Sequence, residues 1–260
     1  MKKIKKISVF LITAGILLIG AAVIMQLFTP LGSYNNKGSK GTEYFSGVRE
    51  IIVVSGSHPV NLSYTDGDEC ELSWLSELPL IVNCDEQGVL RVTQDDSFTL
   101  SLFALDSENY NITLKIPRKS YGRISLAASS GNITVSEDIA AESLEVSTKN
   151  GGIYVMGADE RTKIRSAGGD IRLTINELNG DMTVNGGEGD ICINVPPGLP
   201  FFMEFSTENG SCITSGFEND IEKDGDAAFL SGKGGVNLKI NTTGGNLELI
   251  SDVKRPPVTE

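Results

Sequence analysis

The chain has 260 residues, of which 40% are hydrophobic, and its formal net charge is −12. Residues 1–28 contain four lysines and no acidic residue, so the other 232 residues carry 18 basic and 34 acidic side chains, a net charge of −16. A surface this acidic repels nucleic acid and anionic lipid and favours cations or cationic partners, which excludes a nucleic-acid partner. Helical periodicity is almost absent after the N-terminus and glycine is abundant, so the composition predicts an all-β protein.

The chain begins with a basic tip, residues 1–6, followed by an apolar run at residues 7–28. A helix of this length reaches about 33 Å, enough to cross a hydrocarbon core of about 30 Å. The lysines hold the N-terminus in the cytoplasm. The run therefore predicts an uncleaved signal anchor, a single-pass protein of the cell membrane and an extracytoplasmic C-terminal domain. The alternative is a cleaved secretory signal, whose apolar part is usually about 7–15 residues long.

Two segments are predicted to lack regular structure. Residues 29–43 are polar and contain glycine, which predicts a flexible stalk. Residues 253–260 are short and proline-containing, which predicts a disordered tail.

Between the stalk and the repeats, residues 44–123 predict an antiparallel β layer that caps a solenoid. Turn signals such as Asp66-Gly67-Asp68 separate its strands. The predicted strands are 48–54, 60–64, 70–75, 80–84, 89–94 and 110–116.

Residues 124–252 repeat a unit in which glycine precedes a short strand with alternating apolar residues. The glycines lie 17 to 25 residues apart and are Gly131, Gly152, Gly169, Gly189, Gly210 and Gly235. A period near 20 with strand-length units predicts a parallel β-solenoid, in which each coil buries its apolar side against its neighbours. We expect the glycines to supply the positive φ of tight corners. An antiparallel β-sandwich with glycine-rich hairpins is the alternative.

Three stretches are typical of one family: ITLKIPRKSYGRISLAASSGNITVSE, the repeated G-D/N-I-x-V units, and GDICINVPPGLPFFMEFSTENG. With them, residues 45–250 resemble the bacterial "putative adhesin" family of β-strand-repeat proteins, a family of unknown function. The resemblance implies an extracytoplasmic β-solenoid-like domain, often anchored by one N-terminal helix. It also implies similarity to accessory proteins encoded with cell-envelope stress systems, and it supplies no catalytic residues.

Carboxylates are the first candidates for chemistry. Asp170, Asp181 and Asp190 each follow a glycine and could line one edge of a solenoid, as acids do in polysaccharide-cleaving β-helices. Aspartate after glycine is also ordinary turn chemistry. The only histidine, His58, lies in SGSHPV and is predicted to be a loop residue. We therefore predict no catalytic residue, no cofactor and no metal site.

The four cysteines, Cys70, Cys84, Cys192 and Cys212, are disulfide candidates because the domain is predicted to be extracytoplasmic. Cys70 and Cys84 are symmetric about Glu77, as neighbours in a hairpin would be. Cys192 and Cys212 fall one coil apart when GEGDICIN is aligned with TENGSCIT. The alternative is four free thiols that pack as small apolar residues.

The sequence thus predicts a non-catalytic, membrane-anchored β-repeat protein that acts as an adhesin or cell-envelope binding scaffold. Its expected partner is a cell-wall polymer or another surface protein. One alternative is a regulatory accessory protein of a cell-envelope stress response. A carbohydrate-active β-helix enzyme that uses Asp170, Asp181 or Asp190 is the other.

Overall fold

The structure is a computed structural model that describes residues 35–37, 40–76, 79–94, 110–157, 161–217, 221–223, 228–231 and 235–251. The chain divides into two units, Met1–Ser33 and Tyr34–Glu260, and all described residues belong to the second. The predicted anchor and the predicted C-terminal tail lie outside the described residues. Within the described ranges, no helix is both long and apolar enough to cross a membrane.

The described part of the chain is built from β-strands. In chain order they are β1 (Asn35–Lys37), β2 (Lys40–Phe45), β3 (Glu50–Ser55), β4 (Val60–Thr65), β5 (Cys70–Leu75), β6 (Leu80–Cys84), β7 (Val89–Gln94), β8 (Asn111–Pro117), β9 (Arg123–Ala128), β10 (Ile133–Val135), β11 (Leu144–Thr148), β12 (Ile153–Met156), β13 (Thr162–Ser166), β14 (Ile171–Thr174), β15 (Met182–Gly186), β16 (Ile191–Val195), β17 (Phe201–Thr207), β18 (Cys212–Ser215), β19 (Ile221–Lys223), β20 (Ala228–Ser231), β21 (Val236–Thr242) and β22 (Leu247–Ser251). The six strands predicted before residue 124 correspond to β3 to β8.

The strands form two sheets, which we name sheet A and sheet B. Sheet A has the order β1-β6-β7-β3-β9-β11-β13-β15-β21-β17-β20-β19, and sheet B has the order β18-β22-β16-β14-β12-β10-β4-β8-β5-β2. Each coil contributes one strand to each sheet, and strands of neighbouring coils pair in parallel and in register. The parallel β-solenoid predicted from the repeat is therefore confirmed, and the antiparallel sandwich is wrong.

The core lies between the two sheets and follows from the alternation along each strand. In β14, for example, Ile171 and Leu173 are buried while Arg172 is exposed. The register stacks equivalent apolar residues into columns that run from coil to coil. One such column in sheet B consists of Val60, Ile133, Ile153, Ile171, Ile191 and Leu247. Each coil buries its apolar side only because a neighbouring coil stacks on it.

The solenoid begins earlier than the predicted boundary at residue 124. Strands β3 and β4 already pair in parallel with β9 and β10. The antiparallel strands at this end are β5 on β8 and β6 on β7, and they extend the two sheets beyond the first coil. Strands β5 and β6 therefore cap the solenoid. Strands β3, β4, β7 and β8 belong to its parallel part, because β3 pairs in parallel with β7 and β4 pairs in parallel with β8.

The predicted stalk is also corrected. Residues 35–37 form β1, which pairs antiparallel with β6, and Lys40–Phe45 forms β2, which pairs antiparallel with β5. These two strands cover the free edges of β5 and β6, whose backbone groups need partners. Gly41 fits this position because a Cβ there would lie 2.3 Å from the Trp74 ring. Residues 35–37 and 40–43 of the predicted stalk are therefore sheet and not linker.

The last coil in sequence is not the last coil in space. Strand β21 lies between β15 and β17, and β22 lies between β16 and β18. The coil formed by β21 and β22 is therefore inserted between two coils that precede it in the chain. Gly235, expected to start a coil of its own, instead precedes the sheet A strand of this inserted coil.

Candidate functional site

The corner that leads from sheet A to sheet B has four residues in each of seven coils. Its third residue is glycine in all but the first coil: Gly131, Gly151, Gly169, Gly189, Gly245 and Gly210. A Cβ on any of these would lie 1.9–2.4 Å from a carbonyl oxygen of the adjacent coil. None of them has a positive φ, so the expected conformational role is wrong and the requirement is close approach between coils. In the second repeat the glycine of this column is Gly151 and not Gly152.

A second column consists of hydroxyl residues three positions before the corner glycine. Its members are Ser55, Thr148, Ser166, Thr242 and Thr207. In four coils the glycine N–H donates to this hydroxyl at 2.8–3.1 Å. Sequence reasoning missed this column, although the repeated spacing S/T-x-x-G was its signal. In these four corners the hydroxyls satisfy buried or partly buried backbone groups, so we assign them a structural role.

Two of the three candidate carboxylates, Asp170 and Asp190, lie in one column of adjacent coils, and Asp181 lies apart from them. Asp170 and Asp190 occupy the fourth position of the four-residue corner, whereas Asp181 lies in the other corner, just before β15. Asp170 Oδ1 accepts the N–H of Asp190 at 3.1 Å, and Asp190 Oδ1 accepts the N–H of Asn246 at 2.8 Å. Asp181 Oδ1 accepts the N–H of Asn237 at 3.0 Å. Each carboxylate therefore bonds the backbone of the next coil.

The cysteine pairing Cys192–Cys212 is wrong. Strand β22 separates the two residues, and Ile191 and Cys212 both pair with Leu247. The alignment that matched the two cysteines is therefore displaced by one residue, which sends their side chains to opposite faces of sheet B. Cys212 packs against the core, whereas Cys192 lies on the outer face between Arg172 and Glu248.

The other pair, Cys70 and Cys84, lies at the capped end of the solenoid. All four cysteines are free thiols in this structure. Burial raises the pKa of the Cys70 thiol, the Tyr121 hydroxyl opposes this shift, and a charge on Cys84 adds to it. Cys70 lies in sheet B and Cys84 lies in sheet A, so the two residues are not neighbours in a hairpin.

His58 is a corner residue, as predicted. It takes the third corner position in the first coil, where the later coils have glycine, and it is buried. Its Nδ1 lies 2.9 Å from Gln94 Nε2, and its ring centroid lies 5.3 Å from that of Tyr110. The imidazole thus fills space at the capped end of the glycine column.

The outer face of sheet A carries a group of cations in a polar setting. Strand β13 directs Lys163 and Arg165 to solvent, and β21 directs Lys239 the same way; all three are exposed. In the sheet register, Lys163 stands between Glu145 and Thr183, and Arg165 stands between Ser147 and Asn185. Lys239 stands between Thr183 and Glu204. We call this surface the sheet A cationic face.

The ion pairing of this face leaves its centre positive. Arg123 Nη2 donates to Glu145 Oε2 at 2.6 Å, so these two charges offset each other. Lys163 and Arg165 form no ion pair with any residue of the described ranges. Lys239 stands opposite Glu204 in the sheet register, but the two side chains form no ion pair within those same ranges. Asn241 Nδ2 donates to Asn185 Oδ1 at 3.0 Å, which fixes the amides beside the cations.

The outer face of sheet B is different in character. Of the five exposed large hydrophobic residues in the described part of the chain, four lie on it: Tyr44, Tyr154, Met156 and Ile213. The fifth, Val54, lies on sheet A. The Arg172 guanidinium lies 5.8 Å from the Tyr154 ring centroid. One outer face is thus cationic and polar, and the other is mixed apolar and charged.

The fold and these faces define a two-sheet parallel β-solenoid whose coils meet at glycine corners. The chain belongs to the Toastrack DUF4097 family, whose model matches residues 48–161 and 137–249. The resemblance to the "putative adhesin" family is confirmed by this match, and the first of the structures described next shares the fold. No curated protein matches the chain in sequence.

Two solved structures illustrate the likeness. One is a "putative cell adhesion protein" from Clostridium sporogenes, with a TM-score of 0.51 and 13% identity, covering 82% of this chain and 100% of that chain. The other is a "putative adhesin" from Bacteroides fragilis, with a TM-score of 0.46 and 12% identity, covering 82% of this chain and 98% of that chain. At such identities the likeness concerns the fold alone.

Proposed function

We propose that this protein is a non-catalytic, membrane-anchored scaffold that displays its solenoid outside the cytoplasm and binds an anionic polymer of the cell envelope. The binding surface is the sheet A cationic face. An adhesin-like role is consistent with the family and with the name of the similar Clostridium sporogenes protein.

The observation that carries this proposal is the exposed cations of a protein whose net charge is −12. Lys163 and Arg165 lie on one strand, and Lys239 lies two strands away, roughly 10 Å across the sheet. These three exposed cations, with the Thr183 hydroxyl and the amides of Asn185 and Asn241 beside them, suit a polymer that repeats an anionic group and a hydroxyl-rich unit. The acidic remainder of the surface confines such a polymer to this face.

A non-catalytic role is supported by the use of the candidate carboxylates. Asp170 and Asp190 bond successive coils, and Asp181 does the same in the other corner. A glycosidase needs two carboxylates facing one bond, typically about 5–10 Å apart across the substrate. Each of the three carboxylates instead accepts a hydrogen bond from the backbone of the next coil.

Membrane anchoring is supported by the sequence of residues 1–28. The four lysines of the tip precede an apolar run interrupted only by Ser8, Thr13 and Gln26, which is the pattern of an N-terminal anchor with the lysines in the cytoplasm. This orientation brings the Tyr34–Glu260 unit outside the cytoplasm, where envelope polymers are found.

The test is co-sedimentation of the Tyr34–Glu260 unit with purified cell walls, before and after chemical removal of their anionic polymers. We expect binding at low salt that weakens at high salt and is lost from stripped walls, because screening acts on exposed charges. Lys163→Gln with Arg165→Gln should weaken binding by about tenfold, since each exposed charge contact is worth up to about 1 kcal/mol.

The matched control is Lys115→Gln with Arg118→Gln, which removes the same charge from the sheet B side. This variant should bind walls like the parent. Equal binding by all three proteins, or undiminished binding to stripped walls, would show that the sheet A cationic face is not the polymer site.

A further inference from the structure

The charge pattern on the outer face of sheet B is self-complementary, so that the same surface on a second copy of the chain could match it. Five adjacent strands, β12, β14, β16, β22 and β18, form its C-terminal half. The register aligns one residue of each strand in a single row, in the order Tyr154, Arg172, Cys192, Glu248 and Ile213. The next outward row is Met156, Thr174, Asn194, Ile250 and Ser215. We call these two rows the sheet B patch.

The centre of the first row is Cys192, and the residues on its two sides have opposite charge. Arg172 lies one strand away on one side, and Glu248 lies one strand away on the other. At the ends of the row are an aromatic and an aliphatic side chain, with Tyr154 37% exposed and Ile213 58% exposed. Reversing the row about its centre exchanges the cation with the anion and one apolar end with the other.

We propose that the sheet B patch binds a second copy of this chain, face to face, about a twofold axis that runs parallel to the strands over β16. This axis sets Arg172 of each copy against Glu248 of the second copy. It also sets Tyr154 against Ile213 of the second copy and brings the two Cys192 side chains together at the axis. Such an isologous contact uses one patch on both subunits, as closed dimers do.

The charges exclude the other face-to-face arrangement. A twofold axis along the row would set Arg172 against Arg172 and Glu248 against Glu248, and like charges across an interface oppose association. In the second row, the favoured axis sets Thr174 against Ile250 and Asn194 against its own counterpart. The amide of Asn194 can both donate and accept, so it suits a position on the axis.

The size of the patch determines how strong the contact is. Five strands at about 4.8 Å spacing, three or four residues long, cover roughly 300 Å² on each copy, well below the ~800 Å² of a standard interface. The Asp190 carboxylates at the corner end of β16 also face each other across this axis, which adds repulsion. The dimer is therefore weak and concentration-dependent, and trapping is needed to detect it.

The test uses Cys192 as a reporter. The full chain, purified in mild detergent, is treated with a short bismaleimide, which forms one thioether with each Cys192 thiol and transfers no electrons. Dimer is measured on a denaturing gel after quenching. The parent should form a cross-linked dimer, and Cys192→Ser should not.

Charge reversal then tests the orientation. Arg172→Glu or Glu248→Arg alone should lower the cross-linked fraction by about tenfold, because each creates two like-charge contacts about the axis. The double variant, R172E with E248R, should restore the parent fraction. Lys239→Glu on sheet A is the control and should leave cross-linking unchanged. Melting temperatures of all variants establish that each chain is folded.

The proposal is overturned if the parent forms no dimer through Cys192. It is equally overturned if folded single variants cross-link like the parent, or if the double variant stays as low as the single ones. These outcomes leave the wall-binding proposal untouched, because that proposal concerns the opposite sheet.

Discussion

Gly169 lies directly against Gly151 of the adjacent coil: a Cβ on Gly169 would be 2.1 Å from the Gly151 carbonyl oxygen. Real Cβ atoms do not approach backbone oxygen this closely, so a side chain here would push two coils apart. The same contact recurs from coil to coil, and it allows the backbones of consecutive corners to stack at sheet spacing.

The first prediction concerns this contact. Gly169→Ala should lower the free energy of unfolding by about 1–3 kcal/mol or more, because neither backbone can move without disturbing its own coil. Gly168→Ala is the matched control, since a Cβ on the neighbouring glycine would meet nothing closer than 3.5 Å. Urea denaturation of the Tyr34–Glu260 unit measures both. Equal stability of the two variants would contradict the close-approach explanation.

The second prediction concerns the hydroxyl column. Ser166 Oγ accepts the N–H of Gly169 at 3.0 Å and donates to the Gly169 carbonyl at 2.8 Å. Ser166→Ala should cost about 1–3 kcal/mol, because it leaves a buried backbone N–H without its partner. Ser147→Ala, one strand away on the outer face, should be nearly neutral. The prediction fails if the two alanine variants unfold at the same urea concentration.

The third prediction is a pH dependence at the capped end. The Val89 backbone N–H lowers the pKa of the Asp85 carboxyl, with further lowering by Arg91 and by the Gln87 N–H. Because the folded pKa lies below the unfolded value of about 4, Asp85 stabilises the fold above pH ~4 and this contribution disappears as the pH falls through the folded pKa. Asp85→Asn should therefore be less stable at neutral pH and lose less stability in acid.

Melting temperatures of parent and Asp85→Asn at neutral and acidic pH check this sign. The difference between the two proteins should shrink as the pH falls, because both then carry an uncharged group at position 85. A difference that stays constant or grows in acid would show that the hydrogen bonds from Val89, Gln87 and Arg91 do not depend on the charge.

The fourth prediction concerns Cys70 and Cys84. Strand β5 lies two strands out from β4, and β6 lies two strands out from β3, so the two cysteines occupy corresponding levels of facing sheets. Cys70 is buried and Cys84 packs against the core. We expect them to form a disulfide when a disulfide-containing oxidant such as oxidised glutathione accepts their two electrons and two protons by thiol–disulfide exchange.

Peptide mapping after alkylation measures this disulfide. Protein refolded with oxidised glutathione should contain a Cys70–Cys84 peptide pair, while Cys192 and Cys212 stay alkylated or form only mixed disulfides. A bond between Cys192 and Cys212 would contradict the position of β22. Four alkylated cysteines would contradict the facing arrangement of Cys70 and Cys84.

Several features of the corners could be predicted from the sequence only in part. The glycines were recognisable, but their role was not, because a contact between Gly169 and Gly151 involves two coils and leaves no mark on local backbone preference. The hydroxyl at Ser166 was equally visible in the repeat, yet its partner becomes evident only once the corner is closed. For Asp190, turn chemistry predicted a position in a corner. Its hydrogen bond to the Asn246 N–H became evident only in the folded structure.

The sequence by itself determined an all-β solenoid with coils near 20 residues, because strand alternation acts within single coils and the corner glycines recur at the spacing of one coil. Only the tertiary structure decided the order of those coils. Each coil offers the same apolar column and the same corner, so the local pattern permits β17 to stack directly on β15. Strand β21 is inserted between them, where it pairs along its whole length with β17 and through residues 238–241 with β15. Because of this insertion, Glu248 lies beside Cys192, and β22 separates Cys212 from Cys192. The insertion therefore determines which residues form the sheet A cationic face and the sheet B patch.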